Sequence, residues 1–450
     1  MNLRIILKIC RMDFDVLLVG GGVSGLYTAQ LLRKKGFSVH ILEAQSRLGG
    51  RLHTIDSPEG HPIDLGGQWV GVQHEKLLAL CQTHNIPLHP TYFQGRHRLI
   101  TPRRTYTYTG TIPKLPLPAL ITLGWGLRKL KQAASRLSLQ APWENIPDGW
   151  DDITLAAWAR KHLPNPLARK VFDIGLATVF GAETDEVSFW HTLFYIQSAG
   201  SLAALIETET GAQAYKFTQG ARVLIEKLSE GLSYEVERPV WRVMYGPRGV
   251  EVEAGGRRYT AHRLIVAVPP AGLRSIHWNP ALPPVLQQLS QRMPMGAITK
   301  VVAIYDRPFW REAGWSGHFL RTEGATRLGF DTSPPDGSYG QITAFAVGPV
   351  ARKLLYLDPA ARQAFYEREA EALFGQKPRY LYQKSWTEEP WIGGCYVGFF
   401  GPGGWKYLGE ALYQHLPPVW WAGTERSRHW MGYIEGALWA AEAAVKAMAE

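Results

Sequence analysis

A mixed α/β fold of two packed domains, one of them nucleotide-binding, is what this sequence predicts, and three observations carry it. The chain has 450 residues, more than one hydrophobic core ordinarily serves. Its hydrophobic content of 46% supports a large buried interior. The stretch FDVLLVGGGVSGLYTAQLLRKKG runs from an apolar strand through a glycine turn into a helix with apolar residues at helical spacing, the opening of a Rossmann-like βαβ unit.

Taken in order, the segment MNLRIILKICRM has its apolar run interrupted by Lys8, too early for a secretory core. Residues 1–13 therefore read as an N-terminal extension, with Met1 and Met12 both open as the natural start. The strand that follows leads into Gly20, Gly22 and Gly25, which satisfy G-x-G-x-x-G. The first permits the tight turn, the second lets a pyrophosphate approach the backbone, and the third lets helix and strand pack closely. Val23 and Ser24 then start the helix whose N-terminus faces the phosphates. The next strand, SVHILEA, ends at Glu43 and Ala44, where a carboxylate accepts hydrogen bonds from ribose hydroxyls and disfavours a 2′-phosphate.

Two further glycine segments follow. SRLGGRL sets Arg47 and Arg51 around the pair Gly49–Gly50, and DLGGQWVG brings Gly66 and Gly67 before Gln68 and Trp69.

Composition excludes several classes. Cys10, Cys81 and Cys395 are far apart and lack CxxC spacing, which argues against a disulfide framework or a cysteine zinc site and for a reducing, cytoplasmic setting. Net charge is +10, but the basic residues are scattered through groups such as RHR (96–98), PRR (102–104) and LRKLKQAASR (127–136). No nucleic-acid module accompanies them, so no nucleic-acid partner is expected. LPLPALITLGWGL (115–127) is too short and too interrupted to span a membrane. It is expected as a helix packed into the core, with interfacial membrane contact left open by the basic residues after it. LWAAEAAVKAMAE closes the chain without a hydrophobic tail, so a soluble protein is expected, with a homodimer left open.

With these loops on the page, the sequence resembles the flavin-containing amine oxidase family, whose R-x-G-G-R loop and D-x-G-G segment wrap FAD. Gln45 departs from the arginine that many relatives carry near the adenosine half. The resemblance covers nearly the whole chain from Phe14. It implies that Val240, in VERPVWRV, binds adenine through its backbone. It also implies that WAGTERSRHWMGYIEGALWAAEAA closes over the cofactor from the other terminus, with Gly423 and Thr424 at the ribityl and phosphate region and the peptides of Gly432, Tyr433 and Ile434 at the ring. An FAD domain assembled from 14–90, 215–285 and 391–450, holding a substrate domain from 91–214 and 286–390, is the expected organisation.

Within the family the match is nearest to monoamine oxidases, and the roles below are what that resemblance implies. Tyr396 and Tyr433 form an aromatic cage that orients the amine. Lys300, in a strand-like apolar run, holds a water beside the flavin and assists the reaction with oxygen. Trp386 packs near the ring. Ile206 is a gate, Gln213 a polar contact and Phe330 part of the apolar wall. Cys395, within IGGCY, is joined through sulfur to the 8α carbon of FAD, the thiolate being the nucleophile. The preceding glycines are expected to bring the backbone close to the ring.

The activity implied is oxidation of a monoamine by O2 to an aldehyde, ammonia and hydrogen peroxide. Polyamine oxidation stays open if Glu207 or Glu209 points inward, and L-amino-acid oxidation if an arginine clamps a carboxylate. A flavin-free binding module of the same fold is the non-enzymatic alternative.

Overall fold

The computed structural model describes residues 12–450. Cys10 and residues 1–11 of the expected extension lie outside the described residues. Asp13, counted with that extension, is already tied to the fold, donating its N–H to the Thr260 carbonyl at 3.1 Å and accepting from the Thr260 hydroxyl at 2.8 Å.

An eight-stranded sheet is built around β1 (Phe14–Val19). β1 runs parallel to β2 (Val39–Leu42), Val16 opposite Val39, and on its other side parallel to the strand Arg257–Val266, Val19 opposite Val266. Val16, Leu17 and Leu18 have no exposure, which is why this stretch reads as an unbroken apolar run rather than an alternating one. Helix α1 (Val23–Lys34) covers the sheet through Leu26, Ala29 and Leu32. Close packing there requires glycine, because a Cβ on Gly25 would stand 2.0 Å from the Gly20 carbonyl oxygen.

The two chain ends meet in this layer. The strand Val419–Trp421 joins the sheet parallel to Arg257–Val266, and the C-terminal helix Ile434–Ala449 shares one apolar cluster with α1 through Ala437 and Leu438. The Gly423 N–H donates to the Ser24 hydroxyl at 2.9 Å, closing the contact over the glycine turn.

A second, seven-stranded sheet takes strands from 96–108 and 299–385. Its strand Thr299–Tyr305 is buried throughout and sits antiparallel between Gly340–Ala346 and Tyr380–Ser385, with Lys300 opposite Phe345 and Lys384. Helices between residues 117 and 206 form the remaining wall. Asn165, whose carboxamide oxygen accepts from the Leu167 and Ala168 N–H groups, starts the helix Pro166–Phe180, and Gly181 in a left-handed conformation ends it.

The helix expected in the core lies otherwise. Leu117–Ala134 buries Ala119, Leu123, Leu130 and Ala133, yet leaves Leu117 68%, Ile121 63% and Trp125 51% exposed. Apolar residues occupy both of its faces, so helical periodicity alone does not say which face is covered. Among the described residues no helix is long and apolar enough to cross a membrane.

Candidate active site

A cavity of about 400 Å³ runs from the glycine turn of β1 to the helical wall. Its first half is mostly backbone. Gly20, Gly22, Val23 and Ser24 line it at the α1 N-terminus, where Gly22 is the cap residue, no side chain occupies the cap and no acid stands in the first turn. The free N–H groups and the helix dipole make this an anion site. Gly50, at φ +56°, lies against it, and a Cβ there would meet the Gly22 Cα at 3.3 Å. Glu43 and Ala44 line the adjoining end with Val240 and Arg238. The Glu43 carboxylate accepts the Gly21 and Gln45 N–H groups at 2.6 and 2.8 Å. Burial nevertheless pushes its pKa up, with those two bonds opposing.

Arg51 lines the cavity but spends its guanidinium on the protein. One nitrogen donates to the Tyr396 carbonyl and to Glu425, both at 2.6 Å, and the other to the second Glu425 oxygen at 3.1 Å. This fork clamps the Cys395–Tyr396 segment to the C-terminal turn. Thr424 behaves similarly. Its hydroxyl, expected at the ribityl chain, donates to the Tyr433 carbonyl at 3.1 Å and accepts the Gly432 N–H at 2.7 Å. Gly423, Gly432, Tyr433 and Ile434 all line the cavity.

At the junction of the halves lie Gly66, Gly67, Gln68, Trp69, Lys300, Trp386, Cys395 and Tyr396. The Lys300 ammonium donates to the Gly66 carbonyl and to the Gln68 carboxamide oxygen, each at 2.8 Å. Burial lowers its pKa to about 7, partly opposed by Asp64 and reinforced by Lys216. Trp386 donates its indole N–H to the Leu65 carbonyl at 3.0 Å. Cys395 is 5% exposed, and burial raises its thiol to about 12 against the pull of Arg51 and Lys300. The peptide between Cys395 and Tyr396 is cis.

Of the two glycines before Cys395, Gly394 is pressed against protein backbone, while a Cβ on Gly393 would meet nothing within 4 Å. Gly394 sits at φ +147°, and a Cβ there would meet the Gly296 carbonyl oxygen at 2.3 Å. Gly296 in turn approaches the Cys395 carbonyl, where its own Cβ would lie 2.4 Å away. They allow two backbones to touch.

The second half is side chain. Ile206, half-buried, ends the helix Leu202–Ile206, and Gln213 donates to the Leu205 carbonyl at 3.2 Å while its carboxamide oxygen is buried without a partner. Phe330 meets Trp69 edge-on at 5.2 Å, and Phe345 meets Tyr396 edge-on at 5.8 Å. All four line the cavity, with Leu123, Leu127, Phe172, Leu176 and Leu328 beyond them. Tyr433 is held by His74 and Trp430, edge-on at 5.6 and 5.1 Å. Burial raises the pKa of both Tyr396 and Tyr433, so both remain neutral phenols. Glu207 and Glu209 do not line the cavity, and Glu209 is exposed.

Sequence reasoning did not reach Phe345, Tyr195, His318 or Glu425. Only Glu425 carried a signal, an acid beside Gly423 and Thr424 in the C-terminal segment expected to close over the arginine loop.

A glycine cradle for a dinucleotide that opens directly into an aromatic-walled cavity defines a dinucleotide-dependent oxidoreductase. The family of flavin containing amine oxidoreductases matches residues 23–449, and the chain belongs to it. It is 32% identical over 434 residues to the probable flavin-containing monoamine oxidase A of Dictyostelium discoideum, spanning 94% of this chain and 95% of that protein. To the flavin-containing amine oxidase B of Homo sapiens it is 31% identical over 444 residues, with 96% and 85% spanned. Among solved structures, cyclohexylamine oxidase from Brevibacterium oxydans IH-35A superposes with a TM-score of 0.92 at 29% identity, over 97% of this chain and 99% of that one. Putrescine oxidase bound to putrescine gives the same score at 25% identity over the same shares. The protein is a flavoprotein oxidoreductase that takes FAD.

The residues present fit that cofactor. The open α1 N-terminus suits a pyrophosphate, Glu43 a ribose, and the buried, unpartnered Gln68 amide nitrogen and Trp69 indole nitrogen suit a polar ring beside Lys300.

Proposed function

We propose that the protein oxidises primary arylalkyl or aliphatic monoamines, consuming O2 and water and yielding an aldehyde, ammonia and hydrogen peroxide. One observation carries this reading: beyond the tyrosines, no carboxylate and no guanidinium lines the cavity among the described residues. Glu43 and Arg238 stand at the adenosine end, and Arg51 is committed to Glu425. A diamine would find no carboxylate there for its second ammonium, and an amino acid no free guanidinium for its carboxylate. Both rival substrate classes are thereby disfavoured.

FAD, when bound, supplies the two-electron acceptor for the amine and passes the electrons to O2. The chain's own residues do the rest. Tyr396 and Tyr433, neutral and fixed by Phe345 and His74, present aromatic walls between which a neutral amine is oriented. Leu176, Phe172 and Leu328 exclude water from it. Lys300 keeps two hydrogen bonds and holds its third N–H for a water. A peroxide-coupled comparison of benzylamine, phenylethylamine, putrescine, spermidine and L-amino acids tests the reading, and turnover confined to the last three would overturn it.

We also propose that the Cys395 sulfur is bonded to the 8α carbon of FAD. Its support is the place of the thiol on the cavity lining, in one apolar cluster with Trp386 and Tyr396. Acid denaturation followed by mass measurement of the Cys395 peptide checks it: an unmodified peptide with free FAD in the supernatant rejects the bond.

The rim supports a third reading, contact with an anionic membrane surface. Ile112 lines the cavity and is 49% exposed. Leu117, Ile121 and Trp125 stand exposed on the helix beside it, with Arg128 and Lys131 one and two turns further on. Cosedimentation with phosphatidylglycerol vesicles, lost in L117S/I121S/W125S, is the expected result.

A further inference from the structure

The substrate half of the cavity contains one imidazole that the reading above does not use. His318 lies on the strand Trp315–Arg321 and lines the cavity together with Leu320. Phe319, between them, faces the opposite side into a separate apolar cluster with Trp310 and Phe374, as strand alternation requires. The His318 ring stacks on Phe330 at 4.9 Å and 14°, and packs against Phe93 at 5.3 Å and His97 at 5.0 Å.

Other buried histidines of the chain show what a structural histidine does here. His97 bonds the Ser316 hydroxyl at 2.6 Å, His74 accepts the Gly71 N–H at 2.9 Å, and His191 accepts the Trp405 indole N–H at 3.1 Å. His318 differs. His74 and His191 each keep their second ring nitrogen buried without a partner, whereas in His318 neither nitrogen is bonded: its Nδ1 is buried without a partner, and no hydrogen bond among the described residues reaches its Nε2. The residue retains partial exposure and lines the active-site cavity on one side and a smaller cavity beside Trp310 and Phe374 on the other. Burial, with His97 adding to it, lowers its pKa to about 3. The ring is neutral, with one N–H to give and one lone pair to receive.

Position within the cavity follows from the ring contacts. Tyr396 touches Phe345 at 5.8 Å, Phe345 touches Phe330 at 6.5 Å, and Phe330 carries His318 on its face. His318 is therefore separated from the amine cage by two aromatic side chains. A lone neutral polar group there, with apolar side chains around it, is costly unless a ligand completes it.

We infer that His318 is a binding subsite for a hydroxyl carried at the end of the substrate remote from the amine, so that hydroxylated arylalkylamines are the preferred substrates of this cavity. The inference rests on the monoamine reading and adds a substrate class to it. A phenol suits the one ring nitrogen left open to a ligand, Nε2, because it can donate to it or accept from it whichever tautomer is present, whereas an unsubstituted ring leaves that nitrogen unpaired.

Tyramine and phenylethylamine differ by that one hydroxyl and form the test. The flavin-loaded wild type is expected to favour tyramine by about 10- to 100-fold in kcat/KM, the size of one satisfied against one orphaned neutral hydrogen bond. In H318F the ratio of the two substrates collapses toward one, and in H318Q, which keeps a donor and an acceptor, it is partly restored. A wild-type ratio near one, or a preference that survives H318F unchanged, overturns the assignment. A second readout needs no turnover: perturbation of the flavin absorption by 4-cresol against toluene. The wild type is expected to bind 4-cresol about tenfold more tightly. If neither amine is oxidised while this binding preference holds, the monoamine reading has failed and the subsite stands. Equal binding of the two rings rejects the subsite whatever the amine kinetics show.

Discussion

The two halves of the cavity are made of different material. Around the cofactor end the wall is main chain, held in place by glycines whose Cβ atoms would collide with a neighbouring backbone: Gly25 on Gly20 at 2.0 Å, Gly66 on the Arg51 carbonyl oxygen at 2.1 Å. Around the substrate end it is side chain, and the glycine there is permissive; a Cβ on Gly175, which lines that wall, meets nothing within 4 Å. A cofactor fixed in shape is gripped by groups every residue possesses. A substrate is distinguished by groups that vary.

The largest expected effect breaks the first half. Adding bulk at Gly25 forces α1 away from β1, so Gly25→Val should yield protein without flavin absorbance, or none that folds. The same kind of change in the other half should leave flavin bound. Gly175→Ala, in a helix where alanine is the better residue, keeps the flavin spectrum and alters only KM among amines of different size. Loss of flavin from Gly175→Ala would erase the distinction between the halves.

That distinction also explains what was legible in the sequence. Glycine spacing is written in short stretches of sequence, so Gly20, Gly22, Gly50 and Gly66 are legible from the residues and land on one cavity, with Gly25 packed behind them on Gly20. The substrate wall is assembled from six or more separate strands and helices, and nothing in TRLGFD or GQITAFA distinguishes Phe330 and Phe345, which line the cavity, from an ordinary core phenylalanine. Phe330 came from family likeness alone, and Phe345 not at all. The segment 115–127 is expected in the core because its composition is apolar; burial of one face depends on what packs against it, which a single segment does not record. The partner of Arg51 was hidden for the same reason, 374 residues away.

Effects of intermediate size are expected at the junction. Lys300→Met removes the cation hydrogen-bonded to both Gly66 and Gln68, and should slow flavin reoxidation by O2 by about 100-fold while slowing anaerobic reduction by amine much less. Because the folded-state pKa of Lys300 is lowered to about 7, its charged fraction falls as pH rises through that value. Reoxidation should therefore decline above pH about 7 in the wild type and run flat in the variant. Stopped-flow reduction and reoxidation measured separately decide it; equal losses on both steps would make Lys300 a structural residue. At the cage, Tyr396→Leu or Tyr433→Leu should lower kcat/KM by about tenfold with the flavin spectrum retained, the scale of a lost aromatic contact of about 1.4 kcal/mol.

The smallest effect compares two lysines across the wall. Lys216 is as buried as Lys300 and donates to the Thr332 carbonyl at 2.8 Å, but does not line the cavity. Burial lowers its pKa to about 8, with Asp64 and Asp331 opposing. Both lysines thus have folded-state values below the ordinary 10.5. Between the two values the unfolded chain binds more protons than the native one, so stability rises with pH there, and below the folded-state value the contribution is constant. The wild type should gain in Tm over Lys300→Met as pH climbs from about 7, and over Lys216→Met from about 8. Only the first substitution should also move the oxygen reaction. If Lys216→Met changes reoxidation as much as Lys300→Met does, the kinetic effect comes from charge near the cavity and not from a group that lines it.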